Sequence, residues 1–169
     1  MKRKRRLIDI CNFSSLQKSI LKAESELGFP IPPLLLFVII QNGALESILQ
    51  VLARNHIEVI VMNQHESGSV IHRKICVRRK SDRQLIMHAE SRIMTKHLPS
   101  ALLHGIIERE KGIGSLIEIL RIETYRHIRI LGFNRRQRAL YRIYDIYIRE
   151  KRAITIKENF PIDLPTWNL

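Results

Sequence analysis

Two charged residues, Arg73 and Glu158, lie in segments that otherwise alternate like half-buried β-strands. Side chains two residues apart in a strand point to the same face of the sheet. Arg73 therefore shares its face with three apolar residues: Ile71, Ile75 and Val77. Glu158 likewise shares its face with three apolar residues: Ile154, Ile156 and Phe160. Both charges are predicted to point into the core.

These inward charges have two interpretations. Burying an unpaired charge costs several kcal/mol, so Arg73 and Glu158 could pair with each other or with nearby groups. Alternatively, they could line a polar pocket, in which Arg73 receives an anion and Glu158 handles a hydroxyl group or a proton. The planar guanidinium group of arginine suits the first role because it binds carboxylates through two parallel hydrogen bonds. The strand pattern alone does not choose between them.

Two glycine-containing segments before predicted helices favour the pocket. In Gly112-Ile113-Gly114, backbone N–H groups at the start of a helix are free to point at an anion. Asn42-Gly43-Ala44-Leu45 offers the same chemistry at the start of an earlier helix. Together with an inward arginine and an inward glutamate, they predict a site for a small carboxylate.

The surrounding elements are read from periodicity and turn signals. Helices are predicted from Ser14 or Ser15 to about Leu27, from Leu45 to about Arg54, from Pro99 to about Glu108 and around Leu116–Leu120. Strands are predicted at about 57–61, 71–78, 85–94, 124–133, 139–148 and 153–160. The apolar run Leu34–Ile40 is ambiguous. This order predicts an α+β fold with a mostly antiparallel sheet.

Length and composition predict one domain with a real core. The chain has 169 residues and is 45% hydrophobic, which suits a single domain over residues 13–169. Residues 1–12, which begin with a run of Lys and Arg, are expected to form a basic flexible N-terminus. The longest apolar run, Leu34–Ile40, is far below the about 20 residues of a membrane helix. Cys11 and Cys76 predict no disulfide framework and hence a reducing compartment.

The excess positive charge raises the question of nucleic-acid binding. Lys and Arg number 29 against 16 Asp and Glu, a formal net charge of +13. A basic cluster with interleaved tyrosines runs from Arg135 to Arg152 and includes Arg142. No RNA-binding signature or helix-turn-helix pattern accompanies it, so nucleic acid is not the expected partner, and a basic nucleic-acid-binding protein stays an alternative function. His97 and His104 are two helical turns apart without a third ligand, and no metal site is predicted.

The motifs that could bind a ligand or take part in a reaction occur in the order and spacing of the chorismate lyases. They are Asn42-Gly43-Ala44-Leu45, Arg73, Gly112-Ile113-Gly114 and Glu158-Asn159-Phe160-Pro161. From about Leu34 to Ile162 the chain resembles this family, and in particular its divergent branch from archaea, cyanobacteria and red-algal plastids. The resemblance implies a six-stranded antiparallel sheet with helical flaps over a small cavity. It also implies that chorismate is converted to 4-hydroxybenzoate and pyruvate without a metal or an organic cofactor.

The resemblance also implies roles for individual residues. Arg73 would hold the ring carboxylate, and Glu158 would lie beside the ring hydroxyl, which makes these two the expected catalytic residues. The expected substrate-binding set adds backbone groups at Leu45, Ile113 and Gly114. The sequence departs from the better-known bacterial branch in two places: that branch has Thr where this chain has Glu46, and Pro-Leu-Gly where this chain has Gly112-Ile113-Gly114.

One alternative is a binding module that performs no reaction. Effector domains of some bacterial transcription regulators have a similar fold, and such a pocket could sense an aromatic acid. We expect no attached DNA-binding domain, which favours the enzyme. The 27 isoleucines point to an AT-rich genome such as that of a plastid, so we expect a plastid or otherwise cytoplasmic location, a monomer, and a product that feeds plastoquinone synthesis.

Overall fold

A computed structural model describes residues 13–41, 43, 45–54 and 56–167, with the side chains of residues 13 and 14 left out. Its helices are α1 (Phe13–Leu27), α2 (Pro33–Ile40), α3 (Leu45–Leu52), α4 (Ser100–Glu108) and α5 (Ile113–Ile119), with single 3₁₀ turns at Thr95–His97 and Pro165–Trp167. Its strands are β1 (Ile57–Ser67), β2 (Val70–Arg79), β3 (Leu85–Met94), β4 (Tyr125–Asn134), β5 (Ala139–Ile148) and β6 (Lys151–Pro161). The predicted N-terminal segment 1–12 lies outside the described residues, as do Asn42 and Ala44 of the first glycine-containing motif.

The six strands form one antiparallel sheet in the order β1-β2-β3-β6-β5-β4. Two three-stranded meanders, β1-β2-β3 and β4-β5-β6, meet where β3 pairs with β6. Helices α4 and α5 lie in the connection between the two meanders. The prediction of an α+β fold with a six-stranded antiparallel sheet is confirmed.

The ambiguous run Leu34–Ile40 lies in a helix, α2. Pro33 stands at its first turn, where the missing N–H of proline costs no helical hydrogen bond. Its buried residues, Leu35, Val38 and Ile39, follow helical spacing, whereas Phe37 is 53% exposed. The helix therefore buries one stripe of an otherwise apolar segment.

The hydrophobic core contains buried residues from strands β2 to β6 and from all five helices, and β1 packs partly buried residues, Ile57 and Val59, against it. Its fully buried helical members are Leu35, Val38, Ile39, Leu49, Leu102 and Ile106. Burial of this apolar surface is the main force that holds the helices on the sheet. Among the described residues, every helix is too short or too polar to span a bilayer.

Candidate functional site

A cavity of about 60 Å³ lies between the sheet and helices α3 and α5. This is several times the about 10–15 Å³ that one water molecule needs. Its sheet-side lining consists of Arg73, Ile75, Val77, Met87, Ala89, Ser91, Arg126, Tyr144, Ile156 and Glu158. Its helical lining consists of Leu45, Glu46, Leu49, Ile113, Gly114, Ser115 and Glu118. Most of the wall is apolar, and five of the lining residues carry a charge.

Arg73 and Glu158 are both buried, at 1% and 5% exposure, as strand alternation predicts. They are not opposite each other in the sheet. Arg73 pairs with Ser91 on β3, Ser91 pairs with Ile156 on β6, and Glu158 lies two residues further along. Strand spacing and residue rise put their Cα atoms about 12 Å apart. The two charges therefore stand at separate ends of the cavity.

Arg73 retains unused hydrogen-bond donors. Its Nη2 donates to the carbonyl of Lys111 at 2.6 Å. Its Nε and Nη1 are buried and have no hydrogen-bond partner within the described part of the chain. Burial lowers the pKa of the Arg73 guanidinium, an effect that nearby Glu46 opposes and Arg109 reinforces. Because arginine stays charged in proteins, Arg73 brings a positive charge with two free donor atoms to the cavity wall.

Glu158 belongs to a buried network of three side chains. Arg142 Nε donates to Glu158 Oε2 at 2.6 Å, and the Tyr144 hydroxyl donates to Oε1 at 2.8 Å. Burial and the adjacent Glu158 raise the pKa of Tyr144 well above its usual value of about 10. The phenol therefore keeps its proton. The structural interpretation thus holds for Glu158, which pairs with Arg142, but Arg73 and Glu158 do not pair with each other.

Arg142 also closes the end of α2. Its Nη1 donates to the carbonyls of Val38, Ile39 and Gln41 at 3.3, 3.1 and 2.6 Å. Carbonyls at a helix C-terminus lack partners within the helix, and here the guanidinium group supplies them. One side chain therefore links Glu158 to the segment that leads into α3, which covers the cavity.

The sequence predicts that Arg142 belongs to a basic cluster from Arg135 to Arg152, and for this residue the prediction is wrong. Arg142 is 2% exposed. It shares the inward face of β5 with three buried residues: Leu140, Tyr144 and Ile146. The alternation that revealed Arg73 and Glu158 was present here too, but the neighbouring arginines suggested a solvated surface instead.

Glu46 connects the two helices above the cavity. Its carboxylate accepts a hydrogen bond from the Ser115 hydroxyl on α5. A Cβ atom built on Gly112 would lie 1.8 Å from Glu46 Oε1, so a side chain at position 112 would displace the carboxylate from this position. Glu46, where the bacterial branch has Thr, therefore packs against Gly112. The Glu46 carboxylate also brings a negative charge close to Arg73.

The remaining residues that the sequence singles out are the predicted substrate-binding residues and the two histidines for which no metal site is predicted. Leu45, Ile113 and Gly114 line the cavity beside Arg73 and Glu158. His97 and His104 are not brought together: His97 bonds the Arg152 carbonyl and His104 pairs with Glu108. Among the described residues, no group of three His, Cys, Asp or Glu side chains is placed to hold a metal ion.

The sequence model of the family described as Chorismate pyruvate-lyase Rv2949c-like matches residues 39–168. This range includes all six strands and every charged residue that lines the cavity. A comparison with curated proteins found no match.

Solved structures are similar to this chain at low sequence identity, and PhnF shows the same fold. PhnF from Mycobacterium smegmatis has a TM-score of 0.52 at 10% identity, covering 73% of this chain. This chain spans 66% of the PhnF chain. YydK from Bacillus subtilis subsp. subtilis, described as a transcriptional regulator, has a TM-score of 0.41 at 9% identity over 62% of this chain and 58% of its own. A ligand-binding domain from Bordetella bronchiseptica, assigned to the GntR family of transcriptional regulators, has a TM-score of 0.42 at 9% identity. The match covers 63% of this chain and 86% of that domain's chain.

Proposed function

Because the chain belongs to the Rv2949c-like chorismate pyruvate-lyase family, we propose that it removes pyruvate from chorismate and releases 4-hydroxybenzoate. The observation that carries this proposal is the separation of Arg73 from Glu158 across a mostly apolar cavity. Chorismate is a cyclohexadiene ring that carries a carboxylate at C1 and a hydroxyl at C4, on opposite sides of the ring. Arg73, a cation with free donors, lies at one end of the cavity and matches the carboxylate. Glu158, a hydrogen-bond acceptor, lies at the other end and matches the hydroxyl.

In the proposed orientation, Arg73 binds the ring carboxylate with its charge and with the guanidinium donors that the protein leaves free. Glu158 accepts a hydrogen bond from the C4 hydroxyl. The support for an acceptor role is that both of its oxygens already accept hydrogen bonds, from Arg142 and Tyr144. The apolar walls between these ends, among them Ile75, Ala89 and Ile156, would contact the ring faces.

The reaction itself needs orientation more than a powerful catalyst. The bond between C3 and the enolpyruvyl oxygen breaks, C4 loses its proton, and the electron pair of the C4–H bond completes an aromatic ring. The departing enolpyruvate gains a proton on carbon and becomes pyruvate. Aromatisation makes this elimination strongly downhill. Glu158 is the carboxylate nearest to C4 in this orientation, and it serves as the acceptor for the C4 proton.

Sequence composition supports a finer proposal on context. The 27 isoleucines suit an AT-rich plastid genome. In that compartment 4-hydroxybenzoate would serve as the ring precursor of plastoquinone.

The test is an assay of pyruvate release from chorismate, coupled to lactate dehydrogenase, with 4-hydroxybenzoate measured by chromatography. The proposal predicts equal amounts of both products, well above the breakdown of chorismate in buffer. If the protein bound 4-hydroxybenzoate but released no pyruvate, the site would be that of an aromatic-acid binding module, and the lyase assignment would be wrong.

A further inference from the structure

We propose that Arg126 binds the second carboxylate of the substrate, the one on the enolpyruvyl group, so that the site selects a ring that carries two acids. This inference rests on the proposed function, since it assumes the orientation of chorismate between Arg73 and Glu158. It assigns a role to a cavity residue that neither the sequence motifs nor the family match identifies.

Arg126 lies at the Glu158 end of the cavity. On β4 it is opposite Ile146, whose side chain shares the inward face of β5 with Tyr144 and Arg142. Arg126 lines the cavity and is half-buried. Its charge also reaches the Tyr144 hydroxyl: burial and Glu158 raise the pKa of that group, whereas Arg142 and Arg126 lower it. Arg73 occupies the opposite end.

The Arg126 guanidinium is available for an anion. Its Nη1 donates to the Gly43 carbonyl at 2.7 Å. Within the described residues, no carboxylate lies within ion-pair distance of Arg126, whereas Arg142 is paired with Glu158. Arg73 is assigned to the ring carboxylate. Of Arg73, Arg126 and Arg142, Arg126 is therefore the one whose charge is left for a second acid.

The structure of chorismate places its second acid at this end. The enolpyruvyl ether is on C3, next to the C4 hydroxyl, whereas the ring carboxylate on C1 is on the far side. When C1 faces Arg73 and C4 faces Glu158, the enolpyruvyl carboxylate must lie near Glu158, where an uncompensated anion would be repelled. A guanidinium group at this position removes the repulsion and can bind the carboxylate with two donors.

This arrangement separates substrate from product. The contact with Arg126 exists only while the enolpyruvyl group is attached, because 4-hydroxybenzoate has no second carboxylate. Arg126 would also lie close to the oxygen that gains negative charge as the C3–O bond breaks. Arg126 thus contributes to substrate binding and to turnover, but not to retention of the aromatic product.

The test compares two unreactive ligands that differ in the second acid: 3-(carboxymethoxy)-4-hydroxybenzoate and 4-hydroxy-3-methoxybenzoate. Dissociation constants are measured by calorimetry for the wild-type chain, Arg126→Gln and Arg126→Lys. Arg136→Gln serves as the control, since it removes the same charge from an exposed position in the β4–β5 turn. We expect Arg126→Gln to weaken the binding of the dicarboxylate about tenfold, which is the contribution of one charged hydrogen bond. Its affinity for the methoxy ligand should stay within about twofold, and Arg126→Lys should lie between the wild type and Arg126→Gln.

An equal loss for both ligands in Arg126→Gln, or the same small effect as in Arg136→Gln, would overturn the inference. Both results are binding measurements made without turnover, so they test Arg126 independently of the proposed function. The proposed function fails if the wild-type chain releases no pyruvate from chorismate. Thermal melts of each variant establish that it is folded, and Arg126→Lys keeps the charge if Arg126→Gln does not fold.

Discussion

Arg142 and Glu158 form a buried ion pair, in which Nε and Oε2 are 2.6 Å apart and both side chains are almost completely shielded from water. The same guanidinium group binds three carbonyls at the end of α2. The carboxylate that we assign to the reaction is therefore held by the residue that anchors the cover of the cavity. A change at either residue should affect both stability and chemistry.

Replacing Arg142 with Gln should reduce the free energy of unfolding by about 3–5 kcal/mol, because it leaves a buried carboxylate without its cation. Urea denaturation measures this loss. The matched control is Arg138→Gln, which breaks the exposed pair with Asp163 and should leave stability nearly unchanged. A loss no larger than that of the control would show that Glu158 does not depend on Arg142.

Replacing Arg73 with Lys should weaken the binding of 4-hydroxybenzoate about tenfold, because a lysine keeps the charge but loses the two-donor geometry. The chain should stay folded, since within the described part of the chain Arg73 makes one hydrogen bond, to the Lys111 carbonyl. Calorimetry with 4-hydroxybenzoate and with 4-hydroxybenzyl alcohol tests this. If both ligands lost the same affinity, Arg73 would not be the carboxylate-binding residue.

Replacing Glu46 with Gln should strengthen the binding of 4-hydroxybenzoate by a few fold. The change removes a negative charge close to Arg73 but keeps an oxygen that can accept from Ser115. The gain should shrink at high salt, since screening weakens the repulsion between Glu46 and the ligand carboxylate. Glu123→Gln, at an exposed position, is the control. Weaker binding in Glu46→Gln would mean that Glu46 supports the anion site rather than opposing it.

We expect the buried Tyr144 to make the folded protein less stable at alkaline pH. The folded state raises the pKa of this phenol, so its contribution is complete below the unfolded value of about 10. It is lost as the pH rises above that value, where the unfolded chain ionises and the folded chain does not. Melting temperatures between pH 8 and pH 11 should therefore fall more for the wild type than for Tyr144→Phe. The exposed Tyr125 provides the control variant, Tyr125→Phe, which should follow the wild type; if Tyr144→Phe did so too, the burial argument would be wrong.

Strand alternation predicted both inward charges of the site and most of the strands, because period two directly reports which side chains share a face. It could also have revealed Arg142. Arg126 was harder to find, since the register between β4 and β5 shifts between Ile128 and Ile130, and such an irregularity breaks the alternation. The contact of Glu46 with Gly112 joins two helices that are far apart in sequence. No local pattern reports a contact of this kind.

The most direct test of the account is the initial rate of pyruvate release by Glu158→Gln, divided by the folded fraction of the variant and compared with the wild type. The substitution keeps the shape of the side chain and removes the group that accepts the C4 proton. We predict a rate per folded molecule at least about a hundredfold lower, with 4-hydroxybenzoate still bound. A wild-type rate per folded molecule would contradict the assignment and leave Glu158 with its structural pairing to Arg142 alone.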